Sequence, residues 1–216
     1  MIRNASAAAA PVESVPFVAV VDDDPAVREA LDSLFRSIGL ATRLFGTPAD
    51  LMSSPLPSAP GCIVLDVRLP GISGLDFQAH LVEHGVDLPV VFMTGHGDIP
   101  MTVRAMKAGA IDFLAKPFRD QEMLDAVTAA IERDKRRRSA TAAREELRSR
   151  YETLSPRERE VMAHVVSGLM NKQVAGMIGL SEITVKIHRG NVMRKMGVRS
   201  LADLVRQAEA LGISKP

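Results

Sequence analysis

Five short apolar runs, each followed by a helical pattern, constrain the fold of the first part of this sequence. The runs read FVAVV, ATRLF, CIVLD, LPVVFMT and AIDFLA. Between them, apolar residues recur at helical spacing; the first such segment opens with Asp24 and Pro25 and stops at Gly39. Strands that alternate with helices at this pace favour right-handed crossovers. The sequence therefore predicts a doubly wound α/β fold of five parallel strands, with helices on both faces.

Polar residues stand where these predicted strands end. In the strand order 2-1-3-4-5, a site forms at the carboxyl ends of the strands, near the switch point between the first and third. The first strand ends in Asp22 and Asp23, the third in Asp66, the fourth in Thr94 and the fifth in Lys116. The sequence thus predicts that three acids, a hydroxyl and an amine meet at one rim of the sheet.

Three carboxylates at one rim repel one another unless a cation neutralises them. Hard oxygen ligands with room for water suit Mg²⁺. We expect Asp23 and Asp66 to be direct ligands and Asp22 to act through water. The backbone carbonyl of Arg68 is the expected third oxygen ligand.

A carboxylate beside Mg²⁺ can attack a phosphoryl group and become an aspartyl phosphate. We expect Asp66 in that role, with Lys116 and Thr94 contacting phosphate oxygens. Taken singly, Thr94 is an ordinary turn residue, Lys116 an ordinary loop cation and Phe113 an ordinary core aromatic. The order in which the acids, the hydroxyl and the amine follow successive strands is what favours a site.

Charge divides the chain into an acidic body and a basic end. Residues 15–130 carry 8 basic and 15 acidic side chains, a net charge of −7. Residues 131–151 and residues 152–216 each carry a net charge of +4. A basic end attached to an acidic body is typical of a nucleic-acid-binding module joined to a different domain.

Two segments lie outside the two predicted domains, and one cysteine lies within the predicted core of the first. Residues 1–14 are Ala-rich without a signal-peptide core, and we expect a disordered tail on a cytoplasmic protein with no membrane segment. The composition of residues 131–151 predicts a helical linker whose charged face is solvated. The helix of this linker is expected to be either continuous or broken near Ser139. Cys62 is the single cysteine and is expected to be an inert core thiol.

The basic end predicts a small all-α domain that contains a helix-turn-helix. Ser155 and Glu158 form a capping-box pattern at its first helix. Two short helices follow, at residues 171–178 and 182–196, joined by a Gly-containing turn, and a last helix is expected at 200–211. The second helix of such a pair can enter a major groove.

Two sets of side chains are predicted for the helix at 182–196. The apolar set, expected to face inward, is Ile183, Ile187 and Met193. The basic set, expected to form an outer cationic surface, is Lys186, Arg189, Arg194 and Lys195. An ordinary amphipathic helix has the same pattern, so the preceding turn is what favours DNA binding.

The motifs VVDDDP, LDVRLPGISG, MTGHGD and FLAKPF resemble those of response-regulator receiver domains, in particular the FixJ type, over residues 15–130. The resemblance implies Asp66 as phosphoacceptor, Asp22 and Asp23 as the acidic metal site, and Mg²⁺ as cofactor. It also implies Thr94 and Lys116 as phosphate-sensing residues and Phe113 as an aromatic switch. A cis bond between Lys116 and Pro117 is a further implication.

The motifs LSPRERE, NKQVA and SEITVKIHRGNVMRKMGV resemble the LuxR-type helix-turn-helix domain, here residues 152–216. Carried over by position, the resemblance implies that Lys186 and Gly190 face bases and that Ile187 reaches a base edge, which conflicts with an inward-facing Ile187. The residues implied to lie near phosphates are Lys172, Thr184 and His188. Because Gly190 has no side chain, base specificity is expected to rest on Lys186 and Arg189.

Together these observations predict a two-component transcription regulator, not an enzyme. The implied partners are a sensor histidine kinase, operator DNA, a second copy on phosphorylation and RNA polymerase. One alternative is a Mg²⁺-dependent phosphatase that uses Asp66 as a turnover nucleophile. The other is a phosphorylation-independent adaptor or DNA-binding protein with a vestigial acidic pocket.

Overall fold

The computed structural model describes residues 15–95 and 99–213. The chain divides after Arg138 into two compact units. The predicted tail at residues 1–14 lies outside the described residues, as do residues 96–98 of the MTGHGD motif. No helix in the described part of the chain is both long enough and apolar enough to cross a membrane.

The first unit is built on a five-stranded sheet in the order β2-β1-β3-β4-β5, in which all paired strands are parallel. The strands are β1 Phe17–Val21, β2 Ala41–Phe45, β3 Gly61–Asp66, β4 Val90–Thr94 and β5 Asp112–Ala115. This order places the switch point between β1 and β3. The predicted doubly wound α/β fold is confirmed.

Helices connect the strands, and short polar residues start them. The helices of this part are α1 Pro25–Ser37, α2 Pro48–Ser53, α3 Gly74–Glu83, α4 Ile99–Lys107 and the long α5 Asp120–Glu152. The N-cap residues Asp24, Thr47 and Ser73 accept hydrogen bonds from backbone amides in the first turns of α1, α2 and α3. The helix α5 continues through Ser139 without the break that the sequence left open.

Side chains of the central strands alternate between two apolar clusters. In β1, Phe17, Ala19 and Val21 belong to one cluster, and Val18 and Val20 belong to the other. All five are buried, because a parallel sheet with helices on both faces has no solvated side. The strand ends are the places where this sheet can present polar groups.

The buried carboxylate of Asp134 connects α5 to Gly61, the first residue of β3. Asp134 is fully buried, and its Oδ2 accepts a hydrogen bond from the amide of Gly61 at 3.0 Å. The guanidinium groups of Arg137 and Arg138 each lie 2.7 Å from this carboxylate. Arg138 also donates to the carbonyl of Ser58. The charged run was expected to be a solvated helical face, but its first part packs against the sheet.

Hydrogen bonds decide the ionisation of Asp134. Burial by itself would raise the pKa of this carboxyl, but hydrogen bonds from Arg137, Arg138 and Gly61 hold the pKa below its ordinary value. The carboxylate therefore contributes stability above the ordinary aspartate pKa, and that stability is lost as the pH falls through the lowered value.

The second unit is helical. Besides the end of α5, it contains α6 Pro156–Val166, α7 Asn171–Ile178, α8 Glu182–Met196 and α9 Leu201–Ala210. Ser155 and Glu158 form the predicted capping box at the start of α6. Apolar side chains from all four helices, among them Val161, Val174 and Leu204, form one buried cluster. The predicted all-α unit with a helix-turn-helix is therefore present.

The inward assignment of two isoleucines in α8 is wrong. Ile183 is 74% exposed and Ile187 is 59% exposed. The residues of α8 that are buried in the core are instead Val185, Val192 and Met196. These three are seven and four residues apart and so share one face of the helix. Met193, the third residue of the predicted inward set, is half-buried and packs against the core cluster as expected.

We expect Asp134→Asn to lower the free energy of unfolding of the first unit by about 2 kcal/mol, because two guanidinium groups lose a buried anionic partner. Urea-induced unfolding followed by circular dichroism measures this loss. The difference from wild type should shrink as the pH falls from the ordinary aspartate pKa through the lowered pKa of Asp134.

The matched control is Asp87→Asn, because Asp87 is an exposed partner of Arg137 at 3.2 Å. Its expected effect is about 0.5 kcal/mol or less. Equal effects of the two substitutions would contradict a structural role for the buried carboxylate.

Candidate functional site

Three carboxylates meet at the carboxyl edge of the sheet. Asp22 follows β1, Asp23 follows it in the same loop, and Asp66 ends β3. One carboxylate oxygen from each lies within 4.8 Å of the others. Asp22 and Asp66 are buried and Asp23 is exposed. The structure thus brings together the three acids that the sequence predicted at one rim.

Lys116 neutralises part of this negative charge. Its Nζ donates to Asp22 Oδ2 at 2.6 Å and to Asp66 Oδ2 at 3.1 Å. The backbone amide of Lys116, which follows β5, donates to the carbonyl of Thr94 at 2.7 Å. The peptide bond between Lys116 and Pro117 is cis, as the family resemblance implied. One ammonium group therefore bridges the ends of the first and third strands.

Burial and ion pairing act in opposite directions on these groups. Burial raises the pKa of Asp22, and the hydrogen bonds from Lys116 and the amide of Asp24 reduce this increase without removing it. Burial would lower the pKa of Lys116, but its bonds to Asp22 and Asp66 outweigh burial and raise that pKa. The lysine is therefore held in its charged form.

The loop after β3 fixes Asp66 through its backbone. The amide of Arg68 donates to Asp66 Oδ1 at 3.2 Å, and the amide of Gly74 donates to the carbonyl of Val67 at 2.9 Å. A Cβ on Gly74 would lie 2.4 Å from the carbonyl oxygen of Asp66. A glycine is needed because α3 begins in direct contact with the backbone of the central acid. Gly74 ends the motif LDVRLPGISG, and its role at this site was not predicted from the sequence.

Thr94 and Phe113 lie on the neighbouring strands. Thr94 ends β4 and is fully buried, next in sequence to Met93, which pairs with Asp66 in the sheet. Phe113 lies in β5 and is half-buried, and its ring centroid is 6.2 Å from that of Phe92. The Phe113 side chain packs against the apolar cluster. The position of Phe113 fits a core aromatic, and its role as a switch stays a prediction.

The donor set at the rim fits a magnesium ion. Carboxylate oxygens are the ligands that Mg²⁺ prefers, and the exposure of Asp23 leaves one side of the cluster open to water. Asp22, Asp23 and Asp66 would hold the ion. The carbonyl of Arg68 belongs to the adjacent loop, and its role as a ligand stays a prediction.

A second candidate surface lies on the helix-turn-helix formed by α7 and α8. Gly179 ends α7 with a φ of +68°, a conformation that favours glycine, and Ser181 caps α8 by accepting from the amide of Thr184. Lys186 and Gly190 are exposed on α8, as the predicted base-facing positions require. Residues Glu182 and Ile183 at the start of α8 are exposed as well.

The remaining predicted DNA contacts differ in accessibility. Lys172 and Ile187 are exposed, whereas Thr184 and His188 are half-buried. Nδ1 of His188 is buried and has no hydrogen-bond partner among the residues that the structure describes. Only part of the predicted set therefore faces solvent freely.

Two basic residues of α8 already have partners. Arg189 donates to the side chain of Asn171 in α7 at 3.1 Å. Lys195 was expected on the cationic outer surface, but its ammonium group contacts Glu158 at 2.6 Å and the carbonyl of Thr153 at 3.0 Å. Lys195 therefore stabilises the packing of α8 against the start of α6.

The fold and the two sites define a class of protein. A five-stranded parallel sheet of this order with an acidic rim is a receiver fold, and the helical unit is a helix-turn-helix module. Family models agree: the response regulator receiver domain matches residues 18–128, and the luxR family of bacterial regulatory proteins matches residues 152–208. The chain belongs to the response regulators that join a receiver to a LuxR-type DNA-binding domain. This architecture is that of a two-component transcription regulator, which is not a class of enzyme.

Individual proteins show the same similarity along nearly the whole chain. Nodulation protein W of Bradyrhizobium diazoefficiens is 60% identical over 197 residues, which cover 91% of this chain and 87% of that protein. The transcriptional regulatory protein FixJ of Azorhizobium caulinodans is 46% identical over 202 residues, covering 94% and 95%. The solved structure of the response regulator StyR has a TM-score of 0.83 at 47% identity, covering 91% of this chain and 99% of that one.

We expect Lys116→Met to destabilise the first unit by about 2 to 3 kcal/mol at pH 7, since Asp22 then stays buried without its ammonium partner. The loss should shrink as the pH falls through the raised pKa of Asp22, because a protonated carboxyl needs no cation. Urea-induced unfolding between pH 4 and pH 7, without divalent cations, measures both effects.

Lys107→Met removes an exposed lysine at the end of α4 and is the control. Its effect should stay within about 0.5 kcal/mol at every pH. A loss in Lys116→Met that does not depend on pH would show that packing, and not charge, is what the lysine contributes.

Proposed function

We propose that this chain is switched on by phosphorylation of Asp66 and then binds operator DNA as a dimer. The observation that supports this most is the contact of one ammonium group, that of Lys116, with both Asp22 and Asp66 beside a third acid. The carboxylates of such a rim can bind a cation, and its ammonium group can bind the anionic oxygens of an incoming phosphoryl group.

The proposed donor is the phosphohistidine of a sensor histidine kinase. A carboxylate oxygen of Asp66 forms a bond to phosphorus, the bond between phosphorus and the imidazole nitrogen breaks, and the imidazole leaves with that electron pair. The chemistry that Mg²⁺ supplies at such a site is neutralisation of charge on the transferring oxygens. Asp22, Asp23 and Asp66 would hold the ion, and the amide of Arg68 orients Asp66.

Lys116 changes partner when the phosphoryl group arrives. Its ammonium group already lies 3.1 Å from Asp66 Oδ2. When Asp66 carries a phosphoryl group, the ammonium group contacts a phosphate oxygen in place of this carboxylate oxygen, and both partners are anionic. The hydroxyl of Thr94 donates to a second phosphate oxygen. Movement of Thr94 and Phe113 then carries the change to the face around α4 and α5, where a second copy binds.

The output step is recognition of double-stranded DNA by α8. In a symmetric dimer, two copies of this helix reach half-sites about 34 Å apart. Lys186 and Arg189 read base edges, the latter after leaving Asn171, and Ile187 contacts a base edge through its apolar side chain. Lys172, Thr184 and His188 lie toward phosphates. RNA polymerase is the proposed partner at the promoter.

Intact-mass spectrometry tests the first step. After incubation with acetyl phosphate and Mg²⁺, wild type should gain one phosphoryl adduct and Asp66→Asn should gain none. Asp24→Asn is the matched control, since Asp24 is exposed and caps α1, and it should still be phosphorylated. Beryllofluoride, a phosphoryl mimic, should produce dimers of wild type in sedimentation and leave Asp66→Asn monomeric.

Three outcomes would contradict the proposal. An adduct on Asp66→Asn would place the phosphoryl group elsewhere. DNA binding and dimerisation that are equal in wild type and Asp66→Asn would favour a phosphorylation-independent regulator. Repeated turnover of phosphate esters would favour an enzyme.

A second experiment tests the DNA surface. On a DNA site selected from a random pool by the activated protein, Lys186→Ala should weaken binding by about 1 to 3 kcal/mol, because a base-facing cation is lost. Arg206→Ala is the charge-matched control; Arg206 is exposed on α9 and is paired with Asp203. Fluorescence anisotropy at two salt concentrations measures both variants, and equal losses would contradict a specific role for Lys186.

A further inference from the structure

The last turn of α3 carries three metal-binding types of side chain that the proposed phosphorylation does not use. They are His80 and Glu83 of α3 and its C-cap His84; Glu83 and His84 follow His80 by three and four residues and therefore lie beside it at the end of the helix. The ring centroids of the two histidines are 4.7 Å apart. One potential ligand atom from each of the three residues lies within 4.8 Å of the others, and all three residues are exposed.

The hydrogen bond of His84 fixes which of its ring nitrogens is available. Its Nδ1 lies 2.8 Å from the carbonyl oxygen of His80. A carbonyl oxygen only accepts, so Nδ1 carries a proton, and in the neutral ring Nε2 is the nitrogen with the free lone pair. Metal-binding histidines commonly donate their other ring N–H to a backbone carbonyl in this way, which orients the ring. His84 therefore already has the tautomer that a metal ion requires.

The other two side chains can complete a set of ligands with small movements. Nδ1 of His80 lies 3.6 Å from Oε2 of Glu83, and the two side chains are 54% and 69% exposed. A tetrahedral ion with bonds of about 2.1 Å keeps its ligand atoms about 3.4 Å apart. The 3.6 Å between His80 Nδ1 and Glu83 Oε2 is already close to this value, and both side chains are exposed enough to change rotamer.

We propose that His80, Glu83 and His84 bind a divalent transition-metal ion of the Zn²⁺, Ni²⁺ or Cu²⁺ class. Two imidazole nitrogens and one carboxylate select these ions over Mg²⁺, which prefers a full set of oxygen ligands. Water occupies the remaining position. This site is separate from the carboxylate rim, where Asp22, Asp23 and Asp66 offer only oxygen ligands.

Calorimetric titration of the full chain with ZnCl₂, in an excess of Mg²⁺ that fills the carboxylate rim, tests the proposal. Wild type should bind one Zn²⁺ at this site. His80→Gln and His84→Gln should each weaken that binding by about tenfold or more, and Glu83→Gln by a smaller factor. The ring signals of His80 and His84 should be the first to broaden when Ni²⁺ is added in an NMR titration.

Two control variants separate this site from others. His164→Gln removes a histidine from α6 in the second unit, and Asp23→Asn weakens the carboxylate rim; both should bind Zn²⁺ as wild type does. Thermal unfolding checks that every variant is folded. Wild-type affinity in both His80→Gln and His84→Gln would overturn the proposal, as would a loss of binding in Asp23→Asn alone.

Discussion

The paired contact of Lys116 with Asp22 and Asp66 is the interaction on which the first unit's chemistry depends. Three acids at one rim would repel one another, and the burial that raises the pKa of Asp22 makes its charge still more costly. The ammonium group offsets this cost but leaves Asp23 and one side of the rim open to solvent. The site is therefore stable without a ligand and still has unmet negative charge, which is the condition for binding a cation.

Apolar clusters cover both faces of β3, so only the ends of this strand can present polar groups at the rim. At the carboxyl end, Asp66 is held by the amide of Arg68 and by the close approach of α3 at Gly74. At the amino end, the buried carboxylate of Asp134 accepts from Gly61. Because a buried strand tolerates little displacement, the same strand fixes both Asp66, the proposed phosphoacceptor, and the packing of α5.

The sequence predicted the strands and the acidic rim because both follow from local signals, whereas the strand order followed from the doubly wound fold type. Apolar runs mark the strands, and the residues after each run, such as Asp66 and Lys116, must lie at the same edge of a parallel sheet. Asp134 was missed because it stands within a run of charges, where only a distant partner such as Gly61 makes burial favourable. The same limit applies to Lys195, whose partner Glu158 is on another helix. Contacts between distant residues leave no periodic trace in a sequence.

The helix α8 shows why a stripe of apolar residues does not by itself identify a core. The residues of α8 that are buried in the core are Val185, Val192 and Met196. Ile187 is exposed, so burial of its side chain in this core does not explain its presence. An isoleucine of this kind on the proposed DNA surface can contact the methyl group of a thymine. Gly190 costs the helix about 1 kcal/mol relative to alanine, and, apart from its chain neighbours and the backbone of its own helix, none of the described residues has an atom within 4 Å of where its Cβ would be. Intramolecular packing therefore does not require this glycine, and a close approach of the helix backbone to DNA is the explanation that the proposed function supplies.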